Sequence, residues 1–170
     1  MGAGMTVLIF HALTTPERRP IQMGARLYDG AVCVSQLQTY IRPDGWTLDA
    51  DPQTVKLAGR IGAPLPEVLG VIASMSKCAA DLAFWDVEEV RPLLAWARDR
   101  TWISIHHEAQ RKVDLRVASK PLAEGDHPEG WLPTWHEAFR TAPDMMPATI
   151  EAQTMMLNLL YGELTEKGLI

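Results

Sequence analysis

Cysteine is scarce in this chain, and the two present, Cys33 and Cys78, match no CxxC or zinc-ligand spacing. That excludes a disulfide framework or a thiolate metal site as the basis of the fold. Each cysteine falls in an apolar segment, which predicts a reduced, buried thiol in a cytoplasmic protein. Long apolar runs are also lacking: none approaches the roughly 20 residues of a spanning helix, and no basic segment followed by an apolar stretch and a cleavage site opens the chain. A water-soluble protein with no membrane partner is expected. Met1-Gly2 with Thr6 fits a myristoylation pattern loosely, but Thr6 is needed at the start of a strand, and residues 1–4 read as a short frayed arm. Positive charge is in deficit, 16 Lys and Arg against 21 Asp and Glu. A net charge of −5 works against a tight, sequence-blind grip on nucleic acid, which draws its free energy from cations displacing counterions. Arg18, Arg19, Arg26, Arg42, Lys56 and Arg60 read as scattered, solvated surface with room for a small basic patch. There is no Gly-rich phosphate loop, no HExxH spacing and no serine in a nucleophile-elbow context.

What is present suits one globular domain over residues 1–170, since 47% hydrophobic residues in 170 can build a full core. Val7-Leu8-Ile9-Phe10 is consecutive, apolar and β-rich, which predicts a strand over 5–12 covered on both faces at the centre of a sheet. Ile21 to Tyr28 alternates as a half-buried strand, Asp29-Gly30 tolerates the positive φ of a hairpin turn, and Ala31 to Arg42 returns through Val32, Val34, Leu37 and Ile41. Asp51-Pro52 places an N-cap before a helix that should stop at Gly59. A second helix follows Pro64 with Val68, Leu69, Ile72 and Met75 inward, ahead of a strand over 79–85. Asp86 caps a third helix, which Pro92 should kink. Thr101 to Ile105 reads as a fifth strand and 106–122 as helix or irregular structure. Residues 125–133 read as a loop, 135–140 as a helical turn, and 147–164 as a final helix with Ile150, Met155, Leu159 and Leu160 inward. The pattern predicts a mixed α/β architecture: a five-stranded sheet of three antiparallel strands and two helix-connected parallel strands, flanked by helices.

Leu8-Ile9-Phe10-His11-Ala12-Leu13-Thr14-Thr15, followed by Ile21-Gln22-Met23-Gly24-Ala25, resembles the opening of the DnaQ-like (DEDD) 3′–5′ exonucleases of the RNase H-like fold. There the signature is Asp-x-Glu-Thr-Thr, then Ile-x-Glu-Ile-Gly-Ala on the second strand. Residues 83–94 are similar to the family's second motif, and Glu151-Ala152-Gln153 in the final helix to its third. The resemblance implies a two-metal hydrolysis in which four carboxylates hold two cations and a histidine or tyrosine assists the attacking water. Carried over residue by residue, His11 stands at the first aspartate and Leu13 at the glutamate. Val90 stands at the third carboxylate, Asp144 at the histidine and Thr149 at the last aspartate.

Leucine and valine offer no lone pairs, and this set lacks the anionic oxygens that Mg²⁺ or Mn²⁺ requires. The expectation is therefore an exonuclease-like fold that has lost metal-dependent activity, needs no cofactor, and binds single-stranded nucleic acid weakly or a protein partner. The alternative is an active exonuclease with Mg²⁺ or Mn²⁺ in a site rearranged around Asp86, Glu89 or Asp144. A purely structural or oligomeric role is held in reserve on the methionine pairs Met145-Met146 and Met155-Met156. His106-His107-Glu108 reads as a solvated strand end, and His127, Trp131, Trp135 and His136 as the edge of a core or an aromatic platform for a base.

Overall fold

The computed structural model describes residues 6–107, 110–124 and 150–170. Strand β1 (Thr6–Thr14) runs antiparallel to β2 (Pro20–Asp29), and β2 antiparallel to β3 (Val32–Arg42). Helix α1 (Pro52–Ile61), strand β4 (Ala63–Pro64), helix α2 (Leu65–Ser76), strand β5 (Asp81–Phe84) and helix α3 (Val87–Thr101) follow. Strand β6 (Arg111–Asp114), two short helices, α4 (Leu115–Ala118) and α5 (Lys120–Glu124), and the long helix α6 (Ile150–Glu166) complete the described chain. The sheet order is β4-β3-β2-β1-β5-β6, with β5 parallel to β1 and β6 parallel to β5.

β1 is central because its apolar run serves two cores at once. Leu8 and Phe10 point to the side covered by α2 and α3, where Leu69, Ile72 and Leu93 pack and Phe10 meets Phe84 edge-on at 5.9 Å. Val7 and Ile9 point to the other side, against Leu157, Leu160 and Leu164 of α6. Alternate side chains of a strand leave on opposite faces, so four consecutive apolar residues are what a strand covered on both sides requires.

The mixed architecture is as expected, with differences in detail. A sixth strand appears at the edge, where Ala63 and Pro64 pair in parallel with Ile41 and Arg42; two residues carry no periodicity to read. Residues 101–105 are not a strand. Thr101 ends α3, Trp102 caps it in the left-handed region (φ 62°), and Ile105 is buried from a loop. Its alternation with Ile103 reports contact with the core, whereas the strand paired to β5 is Arg111–Asp114, an edge strand with one apolar residue.

Helix α1 continues through Gly59 to Ile61 and ends at Gly62. A side chain on Gly62 would meet the Ala58 carbonyl oxygen at 2.2 Å and the Arg42 nitrogen at 2.8 Å, so this is the glycine the turn requires. Helix α3 runs on past Pro92 to Thr101.

In α6 the buried residues are 150, 153, 154, 156, 157, 160, 161 and 164. The buried face therefore includes Gln153 and Thr154 and leaves Met155 and Leu159 exposed, because the polar pair occupies the helical spacing that the apolar pair misses. Both cysteines are free and exposed, contrary to expectation. Cys33 lies at the outer end of the β2–β3 hairpin, where Val32 and Val34 are exposed as well, and Cys78 sits in the turn after α2. No helix among the described residues is long and apolar enough to cross a membrane.

Candidate functional site

The end of β1, the loop after it, the first turns of α3 and the first turns of α6 converge. Asp86 begins α3, and its Oδ1 accepts from the Glu88 and Glu89 amides at 2.9 and 3.3 Å, satisfying donors that no earlier turn can serve. Its Oδ2 accepts from Arg116 in an ion pair. Asp86 is 5% exposed, and both its oxygens are engaged.

The loop from β1 to β2 is tightened by Thr15. Its carbonyl accepts from the Arg18 amide at 2.9 Å, and its hydroxyl accepts from the Arg19 amide at 3.2 Å. Arg18, in the left-handed region at φ 60°, turns its guanidinium to within 3.5 Å of Glu89 Oε1. Arg19 lies 4.4 Å over the ring of Trp96 further along α3, so two adjacent arginines strap this loop to the helix.

Opposite, His11 faces α6. Its Nε2 is hydrogen-bonded to Gln153 Oε1 at 2.5 Å. Glu151, on the same turn of α6, accepts from Arg26 at 2.8 Å and from Gln38 at 3.4 Å. Helix and sheet come this close because Gly24 lies directly across the ladder from His11. A side chain there would stand 2.9 Å from Ile150 Cγ1 and 3.2 Å from Thr154 Cγ2.

Between the end of β1, the loop after it and the start of α3 lies a cavity of about 30 Å³, room for about one water. His11, Thr14, Arg18, Asp86, Glu89 and Val90 line it. Thus the structure gathers His11, Val90, Asp86 and Glu89 in one wall. Leu13 is outside that lining: the β1–β2 register slips between Leu13 and Thr14. Asp144 and Thr149 lie outside the described residues, as do Glu108, His127, Trp131, Trp135 and His136. His106 and His107 belong to a loop rather than a solvated strand end. The His107 amide donates to Gln110 Oε1 at 3.0 Å, and its Nε2 is buried without a hydrogen-bond partner among the described residues.

The donor set among the described residues does not fit a pair of hard cations. Among the described residues no three His, Cys, Asp or Glu side chains are grouped to hold a metal. The two carboxylates at the cavity face arginines instead, Asp86 with Arg116 and Glu89 with Arg18. Both oxygens of Asp86 are already used, and a cation beside Glu89 would meet the Arg18 guanidinium. Sequence reasoning missed Arg18, which reads as one surface arginine among several, and Arg116, which lies in a segment without clear periodicity. Gln153 was visible only as a neighbour of Glu151 in the third motif.

Burial dominates the titration of His11, lowering its pKa from 6.5 to about 4, while the bond to Gln153 opposes the shift. Between these values the unfolded chain holds the extra proton and the folded chain does not. The contribution is therefore complete above pH 6.5, lost progressively as pH falls toward 4, and reaches at most about 3 kcal/mol. Urea unfolding from pH 7 down to pH 4.5 is expected to give a steeper loss of stability for the natural chain than for His11→Gln. Parallel curves would refute the assignment.

Three solved structures share this fold. The nuclease domain of 3'hExo, a DEDDh family member bound to rAMP, superposes with a TM-score of 0.65 over 98% of this chain and 94% of that one, at 11% identity. E. coli Exonuclease I, in complex with a 5cy-dA13 oligonucleotide, matches at 0.58 over 89% of this chain, with 17% identity. A moderately thermophilic Exonuclease I from Methylocaldum szegediense matches at 0.55 over 74%, with 12% identity. This chain spans 39% and 31% of the lengths of the two Exonuclease I chains. No family model and no curated protein matches the sequence. The fold is that of the nucleases built on an RNase H-like sheet. Within that class, it is the DnaQ-like exonuclease fold.

Proposed function

We propose that this chain is a single exonuclease-like domain without metal-dependent 3′–5′ exonuclease activity, serving instead to bind a nucleic-acid end or a protein partner. One observation carries the reading: at the positions where the resemblance calls for metal-binding carboxylates, the cavity wall holds His11 and Val90, and the nearby Asp86 and Glu89 are paired with arginines. The buried Asp86 pair weighs against a rearranged metal site there, because a cation would have to displace the Arg116 guanidinium; the Glu89–Arg18 pair is exposed and weaker, so Glu89 is the position the test addresses. Arg18 and Arg116 bring positive charge without a metal, which suits weak, salt-sensitive contact with a phosphate backbone. The exposed free thiols of Cys33 and Cys78 suit a reducing cytoplasm.

The test is degradation of labelled single-stranded DNA and RNA across Mg²⁺ and Mn²⁺ titrations, with mobility shifts of the same strands at low salt. No metal-stimulated hydrolysis above that of a mock purification is expected, with any shift weakening as salt rises. Hydrolysis that copurifies with the chain and vanishes in Glu89→Ala would establish the rearranged site. Tight, salt-insensitive capture of a protein with no shifted strand would select the partner-binding role.

A further inference from the structure

A second, larger cavity of about 200 Å³ opens on the other flank of α3. Val90 is the partition, lining both. The floor is apolar, built from Leu69, Phe84, Val87, Leu94, Ile103 and Ile105. The rim carries Arg91, Arg98 and Lys112, and no Asp or Glu is among the lining residues.

Two of these cations have outside partners, Arg91 with Glu88 at 2.7 Å and Arg98 with Asp99 at 2.9 Å. All four side chains are more than half exposed, so these pairs are weak and an arriving anion can share the arginines at little cost. Lys112, exposed on the edge strand β6, has no ion pair among the described residues. An apolar floor beneath one-signed charge selects for a ligand with the complementary polarity, an apolar body ending in an anion.

From these features we propose that the cavity binds a small apolar monocarboxylate. At about 30 Å³ per heavy atom the volume holds a body of about seven atoms, whereas a nucleoside monophosphate is about three times too large. The carboxylate would sit among Arg91, Arg98 and Lys112, and the chain or ring would lie against Leu94 and Ile103. This inference is independent of the proposed function: the two cavities share Val90 alone, and the ligand and the readout here do not involve His11, Asp86 or Glu89.

The experiment is calorimetric titration of the whole chain with octanoate, octanol and succinate, alongside amide chemical-shift mapping. Saturable octanoate binding is expected, with shifts at 94–98 and 103–106, octanol at least about tenfold weaker, and no succinate binding. Lys112→Ser, on an exposed edge, should weaken octanoate about three- to fivefold. Ala95→Phe, which fills the cavity from α3, should abolish binding while the circular dichroism spectrum stays folded. Octanol binding as tightly as octanoate would remove the role of the rim. Absence of saturation at roughly millimolar octanoate, or shifts confined elsewhere, would overturn the site itself. If Ala95→Phe does not fold, the Lys112→Ser affinity and the shift map still decide.

Discussion

Ile9→Asp is expected to yield no soluble folded protein. Ile9 has no exposed surface, and its side chain enters the core between β1 and α6. The substitution forfeits about 2–3 kcal/mol of apolar burial. It also places a carboxyl where no donor was needed before, and holding that group either charged and unpaired or forcibly protonated costs several kcal/mol more. Together these rival the whole stability of an ordinary domain, about 5–15 kcal/mol. Ile9→Val, which removes only one methylene, should cost about 1 kcal/mol. Soluble yield and far-ultraviolet circular dichroism distinguish the two. A folded Ile9→Asp chain would mean that β1 is not the centre of the sheet.

The second large effect is expected at Asp81. This carboxylate, 3% exposed, opens β5. Its Oδ1 accepts from Arg111 Nε at 3.0 Å, its Oδ2 accepts from Nη2 on the same edge of that guanidinium, and the Tyr161 hydroxyl donates to Oδ2 at 2.6 Å. One side chain thereby ties β5 to β6 and to α6. Burial, followed by the adjacent carboxylate, raises the Tyr161 pKa far above the ordinary phenol value, so the hydroxyl remains a donor at every working pH. Asp81→Ala strands this buried hydroxyl and leaves Arg111 without its carboxylate. With Arg111 about half exposed, the cost should be about 2–4 kcal/mol. Asp81→Asn keeps an acceptor for Tyr161 and should cost about half as much. Denaturant midpoints at unchanged slope measure both, and equal midpoints for Asp81→Ala and the natural chain would show that the network contributes nothing.

Much of the frame was legible because its signals are local. The Val7–Phe10 run and the caps at Asp51 and Asp86 each state their structure within a few residues and hold in the fold, while the hairpin turn falls one residue later than Asp29-Gly30, at Gly30-Ala31, with Asp29 paired to Val32 and Gly30 alone of the two at positive φ. Strand β6 was not legible, since Arg-Lys-Val-Asp has one buried side chain and takes its place through β5 and the Arg111–Asp81 pair. The same contrast runs through the site. Asp86 carries both a helix-cap signature and a carboxylate that invites a metal. Only its distant partner, Arg116, reveals how its second oxygen is used. The buried face of α6 misleads for a related reason: Gln153 and Thr154 are polar, yet they lie at the helical spacing that meets the sheet.

Gly24 turns this last point into a dimension that a single atom can change. The height at which α6 rides over β2 is set by a missing side chain, and a methyl there would act as a shim under the first turn of the helix. Gln153 and Glu151 travel on that turn, so lifting it would draw one away from His11 and the other away from Arg26 together. The helix is thus a rigid bar resting on bare backbone, and the reach of both contacts is written into a residue that contributes no side chain to either.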